Sequence, residues 1–320
     1  MTVLAVDVGR TMFRAAVFSD GVQGVGVRLD NGTTLADDDG ADRVVELLES
    51  ALRTLGDPAV QDLEHVVVAA AGALYRPAMA EALVRALSEG RYVKGEVVVT
   101  TDVVAAHAGA LHNQPGVVLS AGTGAGAFGV DGSGATTLVD GAGYLIGDAG
   151  SGFSVGRAGL AAALRHHDGR RGGSELLARF AAEQYGPLAE LPGRVHADIA
   201  PACVVASFAP AVARAARDGD VVAIAIWRKA VTELVDTATA ACFALPEQDR
   251  RIAVTGGLFD LDDLVTEPFS VTMAARAPGV AVRRAAGDAM AGAARLVDRP
   301  AGVYEDLLLR RPSSRDDHRA

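Results

Sequence analysis

Cysteine and aromatic residues are scarce in this sequence. Only two cysteines, Cys203 and Cys242, occur among 320 residues. They provide neither a disulfide framework nor a CxxC metal site, and each lies in an apolar stretch that predicts a buried, small hydrophobic side chain. Aromatic residues make up 5% of the chain. The net charge is −10 and no basic stripe with interleaved aromatics occurs, which argues against nucleic acid as the main partner.

Long apolar runs are absent as well. No run approaches the roughly 18 residues that span a bilayer. The N-terminal run Val3–Val6 is cut by Asp7 and lacks the basic lead and cleavage site of a signal peptide. We therefore expect a cytoplasmic protein with no membrane partner. Half of the residues are nonetheless apolar, which is enough for two compact domains.

Short strands and helices alternate along the chain, and their order repeats. Continuous apolar strands that alternate with helices predict a covered, partly parallel sheet. Three strands open each half of the chain, although the two halves share negligible sequence identity. The predicted strands are 3–8, 12–19, 21–28, 66–71, 96–101, 117–121, 126–130, 136–140 and 252–254. The predicted helices are 41–55, 77–88, 103–112, 153–164, 221–243 and 287–297.

This repeated order predicts an α/β protein of two similar domains. The first domain covers residues 1–114 and is rejoined by a C-terminal helix at 287–298. The second covers 115–286 and contains a helical insertion. Residues 299–320 are expected to form a tail that is partly disordered, because the end of the chain is polar and charged.

Three glycine-bearing turns each follow a predicted buried strand. They are Asp7-Val8-Gly9-Arg10-Thr11, Gly122-Thr123-Gly124-Ala125-Gly126 and Thr255-Gly256-Gly257. Glycine lets a ligand approach the backbone closely, and successive N–H groups in such a turn can bind phosphate. Each turn taken alone is equally compatible with a tight hairpin.

Two common nucleotide motifs do not fit these turns. A dinucleotide fingerprint must open a helix, but a strand follows the turn at Gly122–Gly126. The Walker pattern GxxxxGK[ST] does not occur. The sequence therefore argues against both a Rossmann site and a P-loop.

Two aspartates end predicted strands. Asp7 either caps its turn or holds Mg²⁺ through water, and Arg10 or Arg14 is positioned to pair with it. Asp102 lies between a buried strand and a helix, so it is either a helix N-cap or a carboxylate at the ligand-binding edge of the sheet. In the second case it can accept the proton of a hydroxyl that attacks phosphorus.

A glycine-rich stretch precedes the helix predicted at 153–164. Residues 141–152 contain five glycines, too many for a regular packed element. Asp148 within it can accept hydrogen bonds from ligand hydroxyls. A flexible connector is the alternative, but the interleaved Tyr144, Leu145 and Ile146 argue against it.

In this order, the motifs resemble the BadF/BadG/BcrA/BcrD ATPase family, in its N-acetylglucosamine kinase-like branch within the actin, hexokinase and heat-shock chaperone superfamily. The resemblance covers about residues 2–298. It implies two actin-like (ribonuclease H-like) domains with a nucleotide cleft between them. It also implies a kinase that uses ATP and Mg²⁺ to phosphorylate a hydroxyl of an amino sugar or a related small polyol.

The resemblance also implies residue roles. Asp102 matches the catalytic base and Asp7 the Mg²⁺ site. Sugar binding falls to Gly143, Tyr144 and Asp148. The residues matched to nucleotide binding are Asp7, Gly9, Arg10, Thr11, Gly122, Thr123, Gly124, Ala206, Gly256 and Gly257. Apart from the resemblance, the exposed part of the alanine-rich helices makes a homodimer a further expectation.

The chain departs from the family pattern at a few positions. Arg10 stands where the family usually has glycine, Ala142 where it commonly has tryptophan, and Ala149 where it commonly has glutamate. The sugar-contacting asparagine of the family has no clear match, since Asn31 is shifted. These departures leave open a non-catalytic protein that binds sugar or nucleotide on the same scaffold.

A second alternative is the branch of ATPases that activate reductases or dehydratases. Those activators hold an iron–sulfur cluster on cysteines that follow soon after the second phosphate motif. No cysteine lies between Gly122 and Cys203 in this chain, which argues against that branch.

Overall fold

Two compact units make up the chain. Unit 1 comprises Met1–Pro115, Val130–Thr136 and Ala285–Ala320, and unit 2 comprises Gly116–Gly129 and Thr137–Arg284. The computed structural model describes residues 1–9, 12–56, 60, 62–90, 92, 94–298 and 301–313.

Strands and helices follow one another in nearly the predicted order. The strands are β1 (Thr2–Val8), β2 (Met12–Ser19), β3 (Val22–Asp30), β4 (His65–Ala70), β5 (Glu96–Thr100), β6 (Gly116–Ala121), β7 (Ala125–Val130), β8 (Thr136–Asp140), β9 (Arg251–Thr255), β10 (Ala281–Arg284) and β11 (Leu309–Pro312). The α-helices are α1 (Gly40–Leu55), α2 (Pro77–Glu89), α3 (Asp102–Leu111), α4 (Gly152–His167), α5 (Glu175–Tyr185), α6 (Leu191–Ala197), α7 (Pro201–Ala206), α8 (Ala209–Arg217), α9 (Val221–Phe243), α10 (Glu267–Arg276) and α11 (Ala289–Arg295).

Unit 1 is built on a six-stranded mixed sheet with the order β11-β5-β4-β1-β2-β3. β1 pairs antiparallel with β2 and parallel with β4, and β4 pairs parallel with β5. Val3–Val6 in β1 and the whole of β5 are buried. Strands buried on both faces have continuous apolar sequences rather than alternating ones, which explains the runs seen in the sequence.

Unit 2 repeats this strand arrangement. Its sheet has the order β10-β9-β6-β7-β8, with β6 parallel to β9 and β9 parallel to β10. In both sheets the first strand has the next two strands of the chain on one side and later strands on the other, three in unit 1 and two in unit 2. The predicted internal repeat is therefore present in the topology, although the sequences of the two halves have diverged.

Helices supply most of the core of unit 2. The long helix α9 starts at the cap residue Asp220, whose carboxylate accepts the Ala223 N–H at 2.8 Å. Trp227 on this helix is buried, as predicted, with 2% of its surface exposed. No helix in the described part of the chain is long and apolar enough to cross a membrane.

The C-terminal end of the chain is more ordered than the sequence predicts. A 3₁₀ helix at Gly302–Leu307 and strand β11 follow α11, in a region expected to be only a tail. β11 runs antiparallel to β5. Tyr304, in the 3₁₀ helix, is fully buried. The local sequence gives no sign of these contacts because they are formed with residues about 200 positions away.

Candidate functional site

Asp102 lies between β5 and the following helix, as predicted, but it does not cap that helix. It is the first residue of α3, and Thr101 occupies the N-cap position without a side-chain bond to the helix. The Thr101 hydroxyl instead donates a hydrogen bond to Asp102 Oδ1 at 2.9 Å. The N-cap interpretation is therefore wrong for Asp102, and its carboxylate is oriented by the preceding residue.

The surroundings of Asp102 favour its protonated form more than water does. Burial raises the pKa of the Asp102 carboxyl, and the negative charge of Asp7 raises this pKa further, while the Thr101 hydrogen bond opposes both effects. A carboxylate with a raised pKa is a stronger proton acceptor. Asp102 is thus suited to general-base chemistry.

Asp7, on β1, is paired with Arg14 on the adjacent strand β2. Arg14 donates from Nη2 to Asp7 Oδ2 at 2.6 Å and from Nε to the same oxygen at 3.0 Å. Its Nη1 atom donates to Asp288 Oδ2 at 3.1 Å. Both bonds to Asp7 reach one oxygen, so Oδ1 forms no hydrogen bond with the described residues. Of the two arginines considered as partners of Asp7, Arg14 is the one that is seen to pair with it.

Asn31 holds the first glycine turn in place. Its side-chain Nδ2 donates to the Gly9 carbonyl at 2.6 Å and to the Thr33 carbonyl at 2.8 Å, and its Oδ1 accepts the Thr33 N–H at 3.0 Å. From the sequence, Asn31 was compared only with the sugar-contacting asparagine of the family, from which it is shifted, and its bond to the glycine turn was not predicted. Arg10 and Thr11, which belong to the same predicted turn, lie outside the described residues.

The second glycine turn connects β6 with β7 and is bonded to the start of α4. Gly122 N–H donates to the Gly124 carbonyl at 2.8 Å. The first amides of α4 donate back to the turn, from Gly152 to Gly122 O at 2.8 Å and from Phe153 to Thr123 O at 3.0 Å. The turn therefore has a fixed backbone shape next to a helix N-terminus.

Asp148 lies against this second turn. Its Oδ1 accepts the Ala125 N–H at 3.3 Å, and a Cβ built on Gly124 would lie 2.9 Å from its Oδ2. Only glycine leaves room at position 124 for the carboxylate. Burial, together with the charge of Asp140, raises the pKa of Asp148. Gly124, which the resemblance matched to nucleotide binding, and Asp148, which it matched to sugar binding, are thus direct neighbours.

Asp140 fixes the loop that carries Asp148, and the sequence did not single it out. Its two carboxylate oxygens accept the N–H groups of Asp148 and Ala149, both at 2.8 Å. Asp140 and Asp148 both have a positive φ, near 60°, a conformation in which aspartate is tolerated better than most residues. The sequence feature that could have identified Asp140 is its position at a predicted strand end, directly before Gly141.

The glycine-rich loop is folded rather than a loose connector. The Gly143 carbonyl accepts the N–H groups of Ile146 and Gly147, at 3.2 and 2.7 Å. The Tyr144 ring packs against Phe153, with 5.0 Å between ring centroids. Leu145 and Ile146 at the tip are 81% and 88% exposed, so these two do not pack as the sequence reasoning assumed.

A cavity of about 430 Å³ in unit 2 brings together three separate predicted motifs. Its walls include Gly122 and Thr123 from the second turn, Ala206 from α7 and Gly257 from the third turn. Gly256, next to it, has φ +97° and lies against the Ala121 carbonyl, where a side chain would overlap backbone. Gly122 and Gly257 lie more than 130 positions apart in the chain, with Ala206 between them, and only the tertiary structure joins them.

Two side chains that the sequence treated as simple core residues also line this cavity. Trp227 forms part of its wall, and so does Cys203 on α7. Cys203 is exposed, so its prediction as a buried hydrophobe is wrong, whereas Cys242 is buried as predicted. Cys203 lies on α7, which lines the cavity, whereas Cys242 is one of the buried residues of α9.

The described residues contain no group of three or more histidine, cysteine, aspartate or glutamate side chains placed to hold a metal ion. The remaining candidate for holding a metal ion is Asp7, whose Oδ1 oxygen is not bonded to Arg14. Mg²⁺ is commonly held in proteins by one or two carboxylates together with water and substrate phosphates. A single carboxylate therefore fits this ion, but it would not fit a closed structural metal site.

Two solved structures with the same fold are named as N-acetylglucosamine kinases. A proposed N-acetylglucosamine kinase from Chromobacterium violaceum is 24% identical with a TM-score of 0.73, and the match covers 93% of this chain and 99% of that one. A proposed N-acetylglucosamine kinase from Porphyromonas gingivalis is 18% identical with a TM-score of 0.66, covering 96% and 99%. The likeness confirms the predicted two-domain, actin-like fold.

A third neighbour is a ROK family glucokinase from Streptomyces griseus in complex with glucose and AMPPNP. It is 19% identical with a TM-score of 0.56, and the match covers 92% of this chain and 99% of that one. No protein of curated function matches this sequence. The sequence profile of one family matches residues 4–293, which is most of the chain. The chain therefore belongs to the BadF/BadG/BcrA/BcrD ATPase family.

Proposed function

We propose that this protein is an ATP-dependent kinase that phosphorylates a hydroxyl of an amino sugar, similar to N-acetylglucosamine, or of a related small polyol. The observation that carries the proposal is the cavity in unit 2. It joins Gly122, Thr123, Ala206 and Gly257, which the family resemblance had matched to nucleotide binding from separate parts of the chain. A half-buried aspartate at a strand end, Asp102, supplies a base for the same reaction.

In this proposal adenosine occupies the cavity beside Ala206 and Gly257. The phosphates lie along the Gly122–Gly124 turn, where backbone N–H groups favour anions, and the family resemblance gives the Gly9 turn of unit 1 the same role. Asp7 would hold Mg²⁺ through water, and the ion would offset negative charge on the phosphates. Arg14 keeps Asp7 in one orientation by bonding only Oδ2.

The sugar is held by the loop that contains Gly143, Tyr144 and Asp148. Asp148 accepts hydrogen bonds from sugar hydroxyls, and Asp140 keeps it in position. Asp102 accepts the proton of the attacking hydroxyl as that oxygen bonds to phosphorus, and ADP leaves. Catalysis of this kind depends mainly on positioning and on charge stabilisation.

The direct test is ATP consumption by the purified protein with a panel of amino sugars, sugars and aminocyclitols, each with and without Mg²⁺. We expect ADP formation that depends on one class of acceptor and stops when EDTA removes the metal. A protein that binds members of the panel without consuming ATP would instead be the non-catalytic binding protein, and the kinase proposal would be wrong.

Trp227 provides an internal probe of nucleotide binding. It is the single tryptophan of the chain and lines the cavity. We expect ATP to change its fluorescence in a saturable way. Ala206→Leu, which fills the cavity, should weaken ATP binding by about tenfold or more, since a buried side chain of that size displaces ligand.

The matched control for that experiment is Ala197→Leu, the same change at an exposed position on α6 away from the cavity. It should leave the fluorescence titration unchanged. If ATP gave no tryptophan signal, or if both variants behaved alike, the cavity would not be the nucleotide site.

Cys203 gives a second, chemical probe of the same cavity. Cys203 is exposed there, whereas Cys242 is buried and burial raises the pKa of its thiol, which lowers the reactive thiolate fraction. A thiol reagent should therefore modify one cysteine per chain, and saturating ATP should slow that reaction several-fold. Cys203→Ser should abolish this modification. If the wild-type protein were labelled at the same rate with and without ATP, the cavity would not be the nucleotide site.

A further inference from the structure

Strand β5 and helix α3, which lie on either side of Asp102 in the chain, both contact the end of the chain. We call residues 301–313 the C-terminal segment; it contains the 3₁₀ helix Gly302–Leu307 and strand β11. β5 ends two residues before Asp102, and α3 begins at Asp102. A shift of either element would move the carboxylate.

The C-terminal segment is bonded to β5 along its length. β11 pairs antiparallel with β5, with Leu309 opposite Val99 and Pro312 opposite Glu96. The hydroxyl of Thr100, the last residue of β5, donates to the Leu307 carbonyl at 2.9 Å. Arg310 donates from Nη1 to Glu96 Oε2 at 3.0 Å, and its side chain is only 8% exposed.

The same segment is bonded to α3 through one buried pair. His107, on α3, lies with its Nδ1 atom 2.7 Å from the Tyr304 hydroxyl, and both residues have no exposed surface. Burial raises the pKa of Tyr304, so its hydroxyl stays protonated near neutral pH. Water cannot readily replace a partner at a site this buried, so loss of the bond has to be absorbed by movement of the helix or the segment.

α3 is held on another side by direct backbone contact with α11. A side chain built on Gly109 would overlap the Asp288 carbonyl, and one built on Gly292 would overlap the Ala105 carbonyl. Such close approach leaves α3 little freedom on the α11 side. Helix α3 is therefore restrained in two places, by its backbone contact with α11 and by the hydrogen bond between His107 and Tyr304.

We propose that the C-terminal segment sets the position of the Asp102 carboxylate, with Tyr304 as a positioning residue that acts through His107. This rests on the proposed role of Asp102 as the base. Tyr304 does not contact substrate in this proposal. It keeps α3, and with it Asp102, in the orientation that an attacking hydroxyl requires.

The test is Tyr304→Phe, which keeps the ring and removes only the hydroxyl. We expect kcat to fall about fivefold, the factor that corresponds to one net buried hydrogen bond. The KM values for ATP and for the acceptor found in the panel should stay within about twofold of wild type, because the residue lies outside both binding sites.

The matched control is Tyr92→Phe. Tyr92 is another unit 1 tyrosine whose hydroxyl donates to a carboxylate, Glu49 Oε1 on α1, at 2.7 Å. This variant loses a hydrogen bond of the same length, at a less buried place, that involves neither β5 nor α3. It should lose stability without the selective fall in kcat.

A rescue experiment separates positioning from general damage to the fold. His107→Asn places a polar atom near the position of the imidazole Nδ1, so it should keep the bond to Tyr304 and most of kcat. His107→Leu, which is similar in size but apolar, should lower kcat as Tyr304→Phe does. Equal loss of kcat in both His107 variants, or equal effects of Tyr304→Phe and Tyr92→Phe, would overturn the proposal.

Amide hydrogen exchange tests the same inference without any enzymatic activity. Residues 101–105 at the start of α3 should exchange faster in Tyr304→Phe than in wild type, and no faster in Tyr92→Phe. If the wild-type protein transferred no phosphoryl group, the proposed function would fail while this measurement still decided whether Tyr304 holds α3. Unchanged exchange in Tyr304→Phe would show that it does not.

Discussion

Asp102→Asn should lower the rate of phosphoryl transfer by about 10²- to 10⁴-fold, the range over which a positioned general base contributes. Asparagine has nearly the same shape but cannot accept the proton of the attacking hydroxyl. The affinities for ATP and for the acceptor should change little, since Asp102 belongs to neither the cavity nor the loop of Asp148. Initial rates and equilibrium binding on the same preparation provide the measurement.

The control for this variant is Asp42→Asn. Asp102 and Asp42 are both in the first turn of a helix, α3 and α1 respectively. Each substitution removes a negative charge that interacts favourably with a helix N-terminus, which contributes about 0.3–1 kcal/mol. Only Asp102→Asn also removes the base. A comparable fall in rate in both variants would assign the effect to the helix and not to catalysis.

The pH dependence of the wild-type rate follows from the surroundings of Asp102. Burial and the facing carboxylate Asp7, which is itself paired with Arg14, raise the pKa of Asp102 above its usual 3.8. A base acts only when ionised, so kcat/KM should rise with pH through this raised pKa and level off above it. The rising limb should be absent from the residual activity of Asp102→Asn.

Gly256→Ala should be the most destabilising of the single changes considered in unit 2. Gly256 has φ +97°, where a non-glycine residue is strained by about 1–3 kcal/mol. Its Cβ would also overlap the Ala121 carbonyl oxygen at the end of β6, and neither backbone segment can move without breaking strand pairing. We expect thermal unfolding to begin at least about 5 °C lower, together with loss of the ATP-dependent Trp227 signal.

The neighbouring residue supplies the control. Gly257 has no positive φ, and a Cβ built there meets no atom within 4 Å. Gly257→Ala should therefore change the unfolding temperature by about 1–2 °C at most. If the two alanine variants unfolded at the same temperature, the close contact between the third glycine turn and β6 would not be important for the stability of unit 2.

The order of strands and helices could be read from the sequence because it depends on local patterns. Continuous apolar runs marked β1, β4 and β5, and helical spacing of apolar residues marked α1 and α9. Glycine turns showed where backbone could approach a ligand. Asp102 and Asp148 stood out because a carboxylate after a buried strand or in a glycine-rich loop needs a reason to be there.

Contacts between distant residues could not be read in the same way. Arg14 bonds both Asp7 and Asp288, and the second partner lies 274 positions away. Asp140 fixes the loop of Asp148, and Asn31 fixes the Gly9 turn, through hydrogen bonds to backbone groups that leave no pattern in a single sequence. Cys203 and Cys242 have similar apolar neighbours along the chain, yet only Cys203 is exposed, because exposure depends on what packs against each helix.

The sequence by itself determined the family, the two-unit α/β fold and the positions of the carboxylates and glycine turns, since each of these depends on residue type and local spacing. Only the tertiary structure decided that Asp102 is not a helix cap, that the second turn, Ala206 and Gly257 share one cavity, and that the chain end covers β5 and α3. Side chains far apart in sequence meet only when strand pairing and helix packing bring them together.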